Sequence, residues 1–197
     1  LGFTVLTNVD IIIAALLMEK DPANVYTAAT RLASIILYLP GAIASVMFPK
    51  IAKLYAQRKS TWRMLKTSIL ATVTLSGVVA LAFIFFPDLV LNILVPNNPY
   101  LPLVARPMQV LAIAMTLLGL ANVFMLYGLA TDSHAYVVIL LTAVFVLFAL
   151  VGGVISTGTL FTPQLLAEVM AITGGFIIAL SSLYLFVIER ERRCLVG

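Results

Sequence analysis

Charge is what this sequence has least of. Only 10% of its 197 residues are Asp, Glu, Lys or Arg, while 62% are hydrophobic. Soluble domains carry roughly 25% charged residues. A soluble chain of this composition would have too few polar side chains to cover its surface, whereas a bilayer asks for none; the mean hydropathy of +1.13 agrees. Cysteine is nearly absent too. Cys194 stands alone, so no intrachain disulfide can form and thiolate clusters for zinc or iron–sulfur are excluded. His134 is the single histidine, which leaves no His cluster for metal or base chemistry. No Walker loop, GxSxG or HExxH occurs. The sequence therefore predicts neither an enzyme nor a bound cofactor or metal. No basic stretch precedes the first apolar run, so that run is not expected to be a signal peptide. The chain opens inside an apolar run at Leu1 and reads as a fragment of a longer polypeptide.

What is present is a series of long apolar runs. A spanning helix needs about 20 apolar residues. Six such runs fall at about 1–18, 24–48, 67–86, 103–127, 134–156 and 163–188. Glu19-Lys20-Asp21-Pro22 separates the first two, and Pro87-Asp88 stops the third. Thr162 and Pro163 form an N-cap and first-turn signal for the sixth. Barrel strands would alternate apolar and polar over about ten residues. These runs are apolar on every face, and helices satisfy every backbone group inside lipid. The expected fold is an all-α integral membrane six-helix bundle.

The net charge of +4 arises from where the cations lie. The connector 50–66 holds Lys50, Lys53, Arg58, Lys59, Arg63 and Lys66 with no acid, and the tail carries Arg190, Arg192 and Arg193. Basic loops stay cytoplasmic, and six spans place both clusters on that side, with a cytoplasmic C-terminus. This distribution points to membrane orientation and not to nucleic acid. Within 50–58, Ile51, Leu54 and Tyr55 share one helical face, which suggests an amphipathic extension on the inner surface; a solvated connector is the plainer alternative. Trp62, Tyr100, Tyr127 and Tyr136 fit interfacial belts.

Polar groups inside a membrane are costly and mark candidate functional positions. Asp10 and Arg31 lie about ten residues on either side of a turn centred between Lys20 and Asp21, so they are expected at equal depth, facing each other or a shared cavity. A buried ion pair that only fixes the hairpin, or an Arg31 that snorkels outward, would give the same pattern. Glu168 lies one and a half turns into the sixth span, able to line a cavity or reach the surface. Arg106 reads as an interfacial anchor. Gln109 and Asn122 lie deeper, as ligands or as interhelical hydrogen-bond partners. Pro40 and Gly41 interrupt the second span and predict a hinge, or a static packing bend. Ala29-x-x-x-Ala33 and Gly41-x-x-x-Ser45 are small-residue pairs that let helices approach.

The run NVDIIIAALLMEKDPANVYTAATRLASIILYLPGAIASVMFPKIAKLYA, residues 8–56, resembles spans seven and eight of polysaccharide flippases of the multidrug/oligosaccharidyl-lipid/polysaccharide exporter superfamily. The features in order are an Asp in the first helix, a short acidic turn, Val-Tyr-x-Ala-Ala-x-Arg-Leu, Leu-Pro-Gly, Phe-Pro-Lys and a basic loop. Residues 86–130 are similar to the next hairpin of the same family. The resemblance implies the C-terminal six-helix lobe of a transporter with twelve or fourteen helices, whose partner is an N-terminal lobe of the same polypeptide. It implies transport of a lipid-linked oligosaccharide across the cell membrane by alternating access. Arg31 would meet the anionic pyrophosphate of that substrate, and Asp10 would hold Arg31 or couple to an ion gradient. A multidrug cation antiporter of the same superfamily, a flippase for the peptidoglycan lipid precursor, a non-transporting scaffold, and a membrane enzyme acting on polyprenyl lipids are the alternatives.

Overall fold

The computed structural model describes residues 7–94, 101–131, 135–158 and 160–196. Among these residues seven helices follow one another: α1 (Val9–Leu17), α2 (Lys20–Ala56), α3 (Trp62–Phe85), α4 (Pro87–Leu94), α5 (Leu101–Ala130), α6 (Ala135–Ser156) and α7 (Pro163–Val196). Among the described residues there is no strand. Five helices, α2, α3, α5, α6 and α7, are long and apolar enough to cross a bilayer. The chain is an all-α membrane helical bundle. Of the first expected span, only the part from Thr7 onward lies within the described residues.

Helix boundaries follow from local chemistry. Pro22, read from the sequence as a terminator between spans, lies in the first turn of α2, after the extended residue Glu19. The missing N–H of proline is tolerated there because those donors have no partner inside the helix anyway. Thr162 caps α7, its Oγ1 accepting from the Leu165 amide at 3.2 Å, with Pro163 as first helical residue. At the other end of α2 the first part of the basic stretch, 50–56, is helix, and 57–61 connect it to α3. The helix runs unbroken through Pro40 and Pro49 to Ala56. It ends in two reversed hydrogen bonds, Arg58 N to Tyr55 O and Lys59 N to Leu54 O. Arg58 adopts φ 54° to make them, the left-handed closing residue of a Schellman motif.

Helix α5 forms the middle of the bundle and packs against α2, α3, α4, α6 and α7. Its side chains Met108, Leu111, Met115 and Leu118 are fully buried. Lipid tails are as apolar as leucine, so helices associate through close packing rather than through hydrophobic exclusion. The contacts show it. A Cβ on Gly119 would lie 2.7 Å from Pro40 Cγ, and one on Gly174 would lie 3.1 Å from Leu117 Cβ. Ala29 and Ala33 of α2 are both fully buried, as expected of a small-residue contact. Gly41 instead faces open space. A second apolar cluster, with Met47, Ile51, Leu65 and Phe124, closes the end of the bundle where α2 hands over to α3. There the Tyr136 ring covers Gly128, where any side chain would overlap it, and meets Tyr184 edge-on at 6.4 Å. Tyr136 is therefore buried core and not part of an interfacial belt. Tyr127 bonds Thr61 at 3.0 Å. Tyr100 lies outside the described residues.

Candidate functional site

Asp10 is completely buried, and its partner is Tyr26. The Tyr26 hydroxyl donates to Asp10 Oδ2 at 2.9 Å. The other carboxylate oxygen, Oδ1, is buried without a hydrogen-bond partner. Thr30, one turn beyond Tyr26, is buried on the same side, and its hydroxyl approaches the phenol without a bond of good geometry. The expected facing of Asp10 and Arg31 is not what forms. The turn between α1 and α2 lies at Met18-Glu19, two residues earlier than the Pro22 signal suggested. Mirrored about that point, Asp10 falls opposite residues 26–27. Two residues of turn position become four residues across the hairpin, and the partner changes from Arg31 to Tyr26.

Arg31 is exposed on a different face of α2. Among the described residues it makes no ion pair. It is about 16 Å along the helix from Lys20. It does not stand alone on that face. Lys20, Asn24, Thr27, Arg31, Ser34 and Tyr38 recur at three- and four-residue intervals and Ser45 follows seven residues on, one stripe of a helix with a period of 3.6. Lys20, Asn24, Arg31, Tyr38 and Ser45 are exposed, and Thr27 and Ser34 half-buried. The hydroxyls of Thr27, Ser34 and Ser45 donate to Ala23, Thr30 and Ala42 carbonyls of the same helix. The cation at Arg31 and the Tyr38 phenol, 73% exposed, are left to meet something outside the bundle. Within a spanning helix such groups are costly in lipid unless they snorkel to the interface or meet water or another polar surface.

The remaining expected residues separate by role. Gln109 donates through Nε2 to the Ile84 carbonyl at 2.9 Å. Ile84 lies in the last turn of α3, where carbonyls lack partners inside the helix, so Gln109 caps a neighbouring helix. Asn122 is half-buried with no partner among the described residues. Glu168 is exposed and accepts from Gln164 Nε2 at 3.3 Å, an ordinary surface pair one turn apart. Arg106 is exposed. Pro40 is buried with its ring seated against Gly119, a packing role for the expected hinge, while Gly41 has room around it. His134 lies outside the described residues. No group of three or more His, Cys, Asp or Glu side chains is placed to hold a metal among them.

Two residues of this region escaped sequence reasoning. Tyr26 reads as one of several aromatic residues until the turn is placed, and Tyr38 reads as apolar until its helical phase is compared with Arg31. The signal that finds both is the periodicity of α2 counted from Lys20. Comparison with protein-family models, with curated proteins and with solved structures finds no match.

Proposed function

We propose that this chain is one lobe of a bilobed membrane transporter that moves a lipid-linked oligosaccharide across the cell membrane by alternating access. The observation that carries this reading is the polar stripe on α2. A stripe that includes an unpaired arginine and runs along a spanning helix belongs beside a hydrated path. In this reading the second lobe, an N-terminal part of the same polypeptide, closes the path from the other side, and the stripe becomes the wall of a central cavity. The substrate carries an anionic pyrophosphate between an apolar tail and a sugar head. Arg31 meets the pyrophosphate by charge-assisted hydrogen bonds, and Tyr38 and Asn24 offer hydrogen bonds to the sugars. The basic end of α2 and the C-terminal tail lie in the cytoplasm of a cell whose plasma membrane holds the protein.

The test is leaflet-specific labelling of a fluorescent polyprenyl-linked oligosaccharide in proteoliposomes of the full-length polypeptide. Wild type flips the lipid, Arg31→Ala abolishes flipping in protein that still folds, and Arg31→Lys keeps most of it. A wild type that flips nothing removes the lipid-oligosaccharide reading.

A second reading, a cation antiporter, draws on Asp10. A buried carboxylate with no cationic partner and one free oxygen is a group that can exchange a proton or small cation. If that is its work, Asp10→Asn abolishes export of a fluorescent organic cation and Arg31→Ala does not.

A further inference from the structure

An apolar recess lies between α3 and α5, away from the polar stripe. It encloses about 470 Å³. Its walls are Val73, Val78 and Leu81 of α3 and Ile113 and Leu117 of α5, and Gly77 opens its floor. Val78 is 63% exposed and Leu81 52%, and a Cβ on Gly77 would touch nothing within 4 Å. Two hydroxyls line the recess: that of Thr116 donates to the Ala112 carbonyl at 2.8 Å, and Thr74 of α3 brings the other. The rest of the lining is apolar and offers a ligand dispersion contacts.

The face of α3 that forms this recess continues past it. Arg63, Lys66, Leu70, Val73, Gly77 and Leu81 follow at intervals of three or four residues, so all six share one stripe. Leu70 is 68% exposed, and Arg63 and Lys66 are exposed. Lys66 Nζ stands 5.3 Å over the Trp62 ring, which fixes the ammonium at the mouth of the stripe. From Lys66 to Gly77 is about 16 Å along the helix. Half the hydrocarbon thickness of a bilayer is about 15 Å. The stripe thus presents two cations at headgroup level, an apolar track one leaflet deep, and a recess at its end.

We propose that this stripe and recess seat an anionic glycerophospholipid of the leaflet at the basic end of the bundle. The phosphate lies against Arg63 and Lys66, and one acyl chain follows Leu70 into the recess at Gly77. Charge complementarity selects the head, and the depth of the track matches the chain. Ordinary annular lipid would cover the same surface without preference for its headgroup.

The experiment reconstitutes the chain in phosphatidylcholine vesicles doped with phosphatidylglycerol that bears a photoactivatable group near the end of one acyl chain. Adducts are mapped by mass spectrometry against the same label on phosphatidylcholine. The expected result is adducts on 73–81 and 113–117, strongly favouring phosphatidylglycerol. Each of Arg63→Gln and Lys66→Gln reduces the preference about fivefold. Gly77→Phe, whose Cβ has open space and whose ring occupies the recess, removes the adducts there. Trp62, the chain's single tryptophan, gives an independent readout, with brominated phosphatidylglycerol quenching it more strongly than brominated phosphatidylcholine. Equal labelling by the two lipids, or a preference that survives neutralising both cations, overturns the proposal. So does cross-linking of the recess to a protein segment in place of lipid.

Discussion

Helices α2 and α6 both span, and both leave one face uncovered, but the two faces are made of different material. On α6 the exposed side chains are Val137, Val138, Leu141, Phe145, Phe148 and Ile155. The only hydroxyl in that stretch, of Thr142, is returned to the Val138 carbonyl of its own helix. On α2 the exposed stripe carries Lys20, Asn24, Arg31 and Tyr38. Exposure alone does not distinguish them. What the exposed groups would require of their surroundings does: α6 asks for acyl chains, and α2 asks for water or another polar surface. A bundle with both faces has one side that acyl chains cover readily and a second that they solvate poorly.

The sharpest way to break this comparison is to put the same charge on both faces. Phe145→Arg is expected to lower membrane insertion of α6 by about 3 kcal/mol. Tyr38→Arg, about two turns from the cation already present at Arg31, is expected to cost a small fraction of that. A glycosylation-site insertion reporter reads both. Equal penalties would mean that α2 faces lipid as α6 does, and the cavity wall would be lost.

A smaller effect separates buried contact from open surface within α2 itself. Gly119→Val drives a side chain into the Pro40 ring and is expected to destabilise the bundle by about 2 kcal/mol, read as an earlier midpoint in unfolding by mixed detergent. Gly41→Ala has free space around it and is expected to be neutral or slightly stabilising through helix propensity. A strong loss from Gly41→Ala would restore the hinge that the Pro40-Gly41 pair suggested.

Smaller again is the contrast between the two polar groups of the α1–α2 hairpin. Tyr26→Phe takes from Asp10 its one side-chain donor and is expected to cost about 1.5 kcal/mol, since a buried charged group loses its partner. Replacing both residues together, Asp10→Leu with Tyr26→Phe, is expected to restore most of that loss in the same unfolding assay. Arg31→Gln is expected to change stability little, because an exposed cation without a partner holds nothing together. If Arg31→Gln destabilises as much as Tyr26→Phe, Arg31 is a structural residue.

These residues also show what a sequence of this kind discloses. The spanning helices were legible because apolarity over about twenty residues has one stable solution in lipid. The small-residue contact at Ala29 and Ala33 and the cap at Thr162 were legible because their chemistry is local. The Asp10 partner was not, because Pro22 signals both the end of one helix and the first turn of the next, and a two-residue choice rotates every later side chain. Gln109 could be named as a hydrogen-bond partner, but its acceptor, the Ile84 carbonyl, is a backbone group that no side-chain pattern advertises. Tyr136 illustrates the opposite failure. Aromatic residues near helix ends favour the interface, and here the absence of a side chain at Gly128 drew the ring inward.

The smallest expected effect lies where α2 ends and the basic connector turns toward α3. Arg58 holds φ 54°, a left-handed conformation that costs a residue with a Cβ about 1 kcal/mol and costs glycine almost nothing. Arg58→Gly is therefore expected to stabilise the chain by up to about 1 kcal/mol, while the reversed bonds from Arg58 N and Lys59 N remain in place. The gain from relieved strain exceeds the small entropy that glycine adds to the unfolded chain. Thermal unfolding in detergent measures it, with Lys59→Gly as the control that removes a neighbouring charge without relieving a left-handed φ. A gain for Arg58→Gly and none for Lys59→Gly locates the strain in one residue of the turn. Destabilisation by Arg58→Gly would mean that the Arg58 side chain itself ties down the connector, and that the basic stretch does more than mark an orientation.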